Sequence, residues 1–257
     1  MNSRVVVITG ASSGIGFQMA QLLSNQGDIP VMMARSKDKM EELARSLEGE
    51  YGVYGVDVTS TEDVEKAYAS IIERWGTIDV LINNAGFGIF KTVEQSTLQE
   101  IEQMMDVNYL GMVRCTKAVL PMMLKQNKGH IINVASMAGK MATAKSAGYS
   151  ATKHAVVGFS SALRQETRKT GVYVTVVNPG PIATPFFDIA DPNGDYLSHL
   201  PKWFVLQPEH VARNVVGLIG KNKLELHLPV YSGWAVKAAQ LFPKTVDRYL
   251  SRMLNKK

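Results

Sequence analysis

A phenol and an ammonium one helical turn apart can share a proton. Tyr149 and Lys153 stand at that i, i+4 spacing, opening a helix-period stretch whose apolar face is Ala155, Val156, Phe159, Ala162 and Leu163. A free phenol has a pKa of about 10 and is a poor base at neutral pH, so base chemistry from this pair needs a nearby cation that favours the phenolate. Chance surface pairs of this kind are common, and the weight of this one comes from its place. Ser136 stands just beyond a strand at 130–135, and sites in open α/β sheets form at such carboxyl ends.

A second stretch is built to hold an anion. Val5, Val6, Val7 and Ile8 read as a strand buried on both faces, and Gly10, Gly14 and Gly16 follow directly before a helical pattern. Glycine is required where a side chain would keep the backbone from a pyrophosphate, whose charge is held by free N–H groups and the helix dipole. An ordinary glycine-rich βα turn is the competing reading of the triplet alone. At the end of the second strand (29–34), an acid would bind the 2′-hydroxyl of NAD; the chain instead has Arg35, whose charge suits the 2′-phosphate of NADP. The plainer alternative makes Arg35 a solvated residue opening a helix at 37–47.

The remaining elements alternate. Strands are predicted at 51–56, 79–82, 172–177 and 224–228, and helices at 61–75, 97–126 and from Pro208 to about 219. That alternation implies right-handed crossovers and a parallel sheet covered on both faces. The helical pattern 97–126 carries Asn108, the buried-type Cys115, and a run of methionines best read as core or subunit interface. Residues 185–205 show no clean period yet contain Phe186, Phe187, Tyr196, Trp203 and Phe204. They read as a lid over an apolar substrate, or as an aromatic patch against a neighbouring subunit.

With 257 residues the chain reads as one α/β domain, 1–257, without linkers or repeats. The single cysteine excludes an intrachain disulfide and fits a reducing compartment. With no membrane span or signal segment read, the expected location is cytoplasmic. The net charge of +5 is not spread evenly: residues 1–231 are balanced, whereas 232–257 carry six basic residues against Asp247 alone. A neutral body without a basic stripe argues against nucleic acid. The tail is expected to form helical segments broken at Pro243. The second has Val246, Tyr249, Leu250, Met253 and Leu254 on one face, which suits either peripheral contact with an anionic membrane or docking on the body.

Together Gly10, Gly14, Ile15 and Gly16, the segment Asn83 to Gly86, Asn108, Ser136, Tyr149 with Lys153, and Pro179 with Gly180 resemble the short-chain dehydrogenase/reductase family over residues 4–230, in its order and spacing. The resemblance implies a Rossmann-like three-layer αβα sandwich with a seven-stranded parallel sheet of order 3-2-1-4-5-6-7. It also implies a homodimer or homotetramer built on two long helices. Tyr149 would be the general acid or base, Lys153 would hold the nicotinamide ribose and bias the phenol toward phenolate, Ser136 would bond the reacting oxygen, and Asn108 would position water or backbone. Cofactor contacts would come from Gly10, Ser12, Ser13, Gly14, Ile15, Gly16, Arg35, Asp57, Val58, Asn84, Ala85, Gly86, Pro179, Gly180, Ile182 and Thr184, with no metal. Many NADP-preferring members carry a basic residue where this chain has Ser13, so NADP(H) is expected to be favoured, with NAD(H) accepted less well.

These features imply an NADP(H)-dependent oxidoreductase interconverting a carbonyl and a secondary alcohol on a hydrophobic small molecule. The rival is a non-catalytic NADP-sensing protein on the same fold. A sensor has no physical need of Tyr149 and Lys153 beside Ser136 and Asn108, which favours the enzyme.

Overall fold

Val5–Thr9 (β1) is buried along its whole length because a layer of helices covers each face. Val6 and Ile8 pack into one core with Met19, Leu23, Val211 and Val215, while Val5 and Val7 enter the other with Tyr68, Ile71, Val119 and Met123. The period-2 alternation of a strand divides these four adjacent apolar residues between two cores. In this computed structural model the described residues are 3–194, 196, 200, 201, 204–242 and 244.

The sheet comprises β1, β2 (Ile29–Ala34), β3 (Gly52–Gly55), β4 (Val80–Asn83), β5 (Gly129–Val134), β6 (Val172–Pro179) and β7 (Glu225–Leu228). It is parallel throughout, in the order β3-β2-β1-β4-β5-β6-β7. The strand order reverses between β1 and β4, and a crevice opens there beyond the carboxyl ends. The helices are α1 (Gly14–Asn25), α2 (Lys37–Ala44), α3 (Thr61–Trp75), α4 (Leu98–Met105), α5 (Met112–Gln126), α6 (Ala147–Glu166), α7 (Phe186–Ala190), α8 (Pro208–Val216) and α9 (Ser232–Leu241). Local chemistry sets several ends: Ser60 caps α3 by accepting from the Asp63 N–H, Gly76 closes it at φ 74°, and Thr97 with Glu100 forms a capping box on α4.

Two expectations need correction. The single helix expected over 97–126 is interrupted by a π-helical segment, Asp106–Gly111, between α4 and α5. The buried positions through it, Met104, Asn108, Gly111, Cys115, Val119 and Met123, still fall three or four residues apart, so the sequence pattern hides it. The irregular stretch 185–205 begins with a short helix, α7, because burial of Phe187 and Ala190 rewards one turn of amphipathic order. The base of this segment is tied where Ala183 N–H donates to Leu206 O at 2.9 Å and Leu206 N–H to Pro181 O at 2.8 Å. Trp203 and the tail residues Pro243, Val246, Tyr249, Leu250, Met253 and Leu254 lie outside the described residues. No helix among the described residues is long and apolar enough to cross a membrane.

Candidate active site

The loop leaving β1 turns at Gly10 (φ 68°) and again at Gly14 (φ 53°), a region that L side chains rarely adopt. Its neighbours add a steric demand: a Cβ on Gly10 would lie 2.8 Å from the Ala85 backbone, and one on Gly16 would lie 2.9 Å from Asn84 Nδ2. Ser13 caps α1 without a side-chain bond, and the first turn holds no acid. The N–H groups and positive dipole end of α1 therefore remain free for a phosphate. Opposite, Asn84 Nδ2 donates to Thr9 O (2.9 Å) and Gly10 O (3.2 Å), and Thr9 Oγ1 accepts from the N–H groups of Asn84 and Ala85, both at 3.0 Å. These bonds lock the two loops that form one wall of the crevice.

The crevice holds about 810 Å³. It is lined by Gly10, Ser12, Ser13, Gly14, Ile15, Arg35, Asp57, Val58, Asn84, Ala85, Gly86, Pro179, Gly180, Ile182 and Thr184, and also by Ser136, Tyr149 and Lys153. The fold thus brings every expected site residue to one place except Gly16 and Asn108, which do not line the crevice. Gly16 lies beneath the loop, where its missing side chain permits close packing against Gly10 and Asn84. Asn108 is 2 % exposed, and its carboxamide is bonded to the protein. Its Oδ1 accepts from Phe87 N–H at 2.9 Å, and its Nδ2 donates to Phe87 O at 2.8 Å and Thr152 Oγ1 at 3.0 Å. Of the two expected roles, positioning water or backbone, the bonds seen are to backbone: from the π-helical turn Asn108 reaches the backbone that follows Gly86 and α6, one residue from Lys153.

Tyr149 and Lys153 are held in the first two turns of α6, whose start is fastened by a cluster of hydroxyls. Ser146 Oγ accepts from Thr143 N–H at 3.2 Å and meets Ser150 Oγ at 2.9 Å. Lys153 is 4 % exposed and donates to Val134 O at 3.0 Å, while its Nζ lies 5.7 Å from the Tyr149 ring centroid. Removal from water lowers its pKa to about 8. Burial pushes the Tyr149 phenol well above its ordinary value, opposed by a hydrogen bond with Ser136 and reinforced by Tyr196. Lys153 by itself does not hold the phenol toward phenolate. Desolvation outweighs the cation, because the ammonium sits over the ring and its bond goes to the Val134 carbonyl. The protein's own groups keep the Tyr149 proton on at neutral pH, as a proton donor requires.

At the far end of the crevice, burial raises the Asp57 pKa, but bonds from Thr59 N–H (2.9 Å) and Oγ1 (2.8 Å), together with Arg35 and Arg114, bring it below its ordinary value. Arg35 is exposed and Lys39, which the sequence reading passed over, lines the same end. The i, i+4 spacing of Arg35 and Lys39 was the available signal. The other end is apolar. Phe90 stands 5.7 Å from the Tyr149 ring, 6.4 Å from Phe186, 6.1 Å from Phe187 and 5.1 Å from Tyr196, and its N–H donates to Ala190 O at 2.9 Å. Phe90 was also missed, since it follows β4 in a stretch whose only local pattern is glycine.

Residues 4–193 match the family model of the short chain dehydrogenases. The chain is 34% identical over 222 residues to an uncharacterized oxidoreductase of Staphylococcus epidermidis, spanning 84% of this chain and 96% of the relative. Among solved structures it resembles a serine dehydrogenase complexed with NADP+, with TM-score 0.81, 31% identity, and coverage of 87% of this chain and 93% of the other. It also resembles a 3-ketoacyl-(acyl-carrier-protein) reductase from Brucella melitensis complexed with NADH, with TM-score 0.81, 26% identity, and coverage of 88% and 96%.

Proposed function

The chain belongs to the short-chain dehydrogenase family, and from that premise we propose that it reduces a carbonyl on a hydrophobic small molecule to a secondary alcohol, and runs the reverse, with NADP(H) preferred. The observation that carries the reading is that one crevice is lined both by the glycine loop at the free end of α1 and by Tyr149, Ser136 and Lys153. A nicotinamide dinucleotide fits this cradle and, when bound, supplies or accepts two electrons as hydride. Ser12 to Ile15 would take its pyrophosphate, Arg35 and Lys39 a 2′-phosphate, and Lys153 its nicotinamide ribose.

The chain's own part is to place and protonate the carbonyl. The Ser136 hydroxyl orients the oxygen, and the Tyr149 O–H delivers a proton to it as negative charge develops there. Asn108 keeps α6 and the loop after β4 in register, so that Tyr149 and Lys153 hold their places. Every charged residue lining the crevice among those described (Arg35, Lys39, Asp57, Lys153) is assigned above to the cofactor. What remains toward the substrate is mostly apolar and aromatic, with Phe90, Met137, Met141, Phe186, Phe187 and Phe204 beside the hydroxyl-bearing Thr143, Ser146 and Tyr196. An uncharged substrate with an apolar body suits that lining, since an ion there would be desolvated without a partner. The same family reading carries a homodimer or homotetramer built on the α4–α5 and α6 faces. An NADPH-oxidation screen over aryl, long-chain and sugar carbonyls tests the proposal, and turnover confined to the sugars would sink the apolar assignment.

Cofactor preference rests on Arg35. A charge-assisted bond contributes about 1.5–3 kcal/mol, so Arg35→Ala is expected to weaken NADPH binding roughly tenfold to a hundredfold and leave NADH nearly unchanged. Fluorescence titration of both cofactors checks this; equal NADH and NADPH affinities in the unmutated protein would refute it.

Lys153 sets a pH limit. With its pKa near 8, it is charged at neutral pH and loses its proton as pH rises through that value. The kcat/KM for NADPH, which reports groups of the free enzyme, should therefore be level through neutrality and fall above about pH 8. A pH profile flat to pH 10 would show that Lys153 charge is not used.

A further inference from the structure

Of the exposed large apolar side chains among the described residues, Val230, Tyr231, Trp234, Leu241 and Phe242 crowd into one short stretch. Trp234, Leu241 and Phe242 are 74 %, 73 % and 64 % exposed. Among the described side chains of α9, Ser232 and Val236 are buried, whereas Trp234, Lys237 and Leu241 are exposed at i, i+3, i+7 spacing on one outward face, with exposed Val230 just before the helix. Lys237 Nζ stands over the Trp234 ring, 5.1 Å from its centroid, so a cation already shares this exposed face with the aromatic side chain.

The sequence beyond this face decides its occupant. Lys244, Arg248, Arg252, Lys256 and Lys257 follow, with Asp247 the sole acid. A two-fold contact with a second copy would bring these like charges together at the rim. An anionic lipid surface would neutralise them, and it would accept Trp and Phe at headgroup depth with Leu below. We propose that the outward face of α9 and the basic tail dock this protein peripherally on an anionic bilayer. The face begins beside the crevice: Gly180, which lines it, donates its N–H to Leu228 O at 2.7 Å, two residues before Val230. Docking there sets the crevice rim close to the membrane.

The test is flotation of the full chain with vesicles of phosphatidylcholine alone or mixed with phosphatidylglycerol. Binding is expected to the mixed vesicles only and to weaken with salt. Each Lys or Arg near such a surface contributes about fivefold, so the pair Arg248→Gln and Arg252→Gln should reduce partitioning by about 25-fold. Trp234→Glu should abolish it. Trp234 is exposed, so thermal unfolding of that variant should match the parent, and turnover in solution should be unchanged because α9 lies outside the catalytic crevice. Absence of binding at low salt, equal binding to neutral vesicles, or indifference to Trp234→Glu would overturn the proposal. So would a dimer that Trp234→Glu dissociates while vesicles stay bare. None of these readouts depends on identifying a substrate.

Discussion

Tyr149→Phe is expected to lower kcat for carbonyl reduction by at least about 10² while leaving the NADPH dissociation constant nearly unchanged. The substitution keeps the ring, and with it the edge contacts to Phe90 and Phe186 that hold its place. It removes only the O–H. Because burial raises the phenol pKa, the wild-type residue carries its proton throughout the neutral range, and the variant has none to give. Reduction in the wild type should not fade near neutrality from loss of the Tyr149 proton. Oxidation needs the phenolate and should accelerate with pH, favoured only when further positive charge enters the site. Stopped-flow turnover with any verified carbonyl, beside a cofactor titration, separates chemistry from binding. Near-normal kcat in Tyr149→Phe would place the proton donor elsewhere.

Lys153→Met should abolish detectable turnover and weaken cofactor binding, yet leave the fold at least as stable at neutral pH. The ammonium is buried with its pKa about 8, against 10.5 for the ordinary group. The unfolded chain therefore binds this proton more tightly, and the cost of folding with it is fully present below pH 8 and fades as pH rises from 8 toward 10.5. That cost is about 3 kcal/mol, and Met fills similar volume without it. Stranding the Val134 carbonyl returns roughly 1–3 kcal/mol of destabilisation, so the net change at pH 7 should lie near zero or on the stabilising side. Thermal melts of both proteins from pH 7 to 10.5 give the readout. The advantage of Met should shrink across that window, and a variant strongly destabilised at pH 7 would show that Lys153 braces the fold.

The elements could be read because their signals are local. Val5 to Ile8, the glycines after them and the Pro208 entry into α8 each state their structure within a few residues, and β2 and α3 begin and end where periodicity puts them. That the sheet is parallel followed from strand and helix alternation, because crossovers of one hand leave few arrangements, whereas the strand order came from the family resemblance. Tyr149 and Lys153 were found for the same reason: a one-turn spacing is a local fact.

What the sequence could not state depends on neighbours distant along the chain. Buried positions stay three or four residues apart through the π-helical turn, so the side-chain pattern is blind to it, and the bonds to Phe87 and Thr152 show which partners Asn108 takes. Phe90 enters the site because the loop after β4 meets the end of α7 in space, and Gly16 matters for a collision with Gly10 and Asn84 that no linear reading contains. The direction of the phenol's pKa shift also depends on such neighbours. Residue types and spacing determine which charges are present and roughly how far apart, which led to an expected depression by Lys153. Whether those charges keep their water is decided by burial from every side, and in this site desolvation is the larger effect.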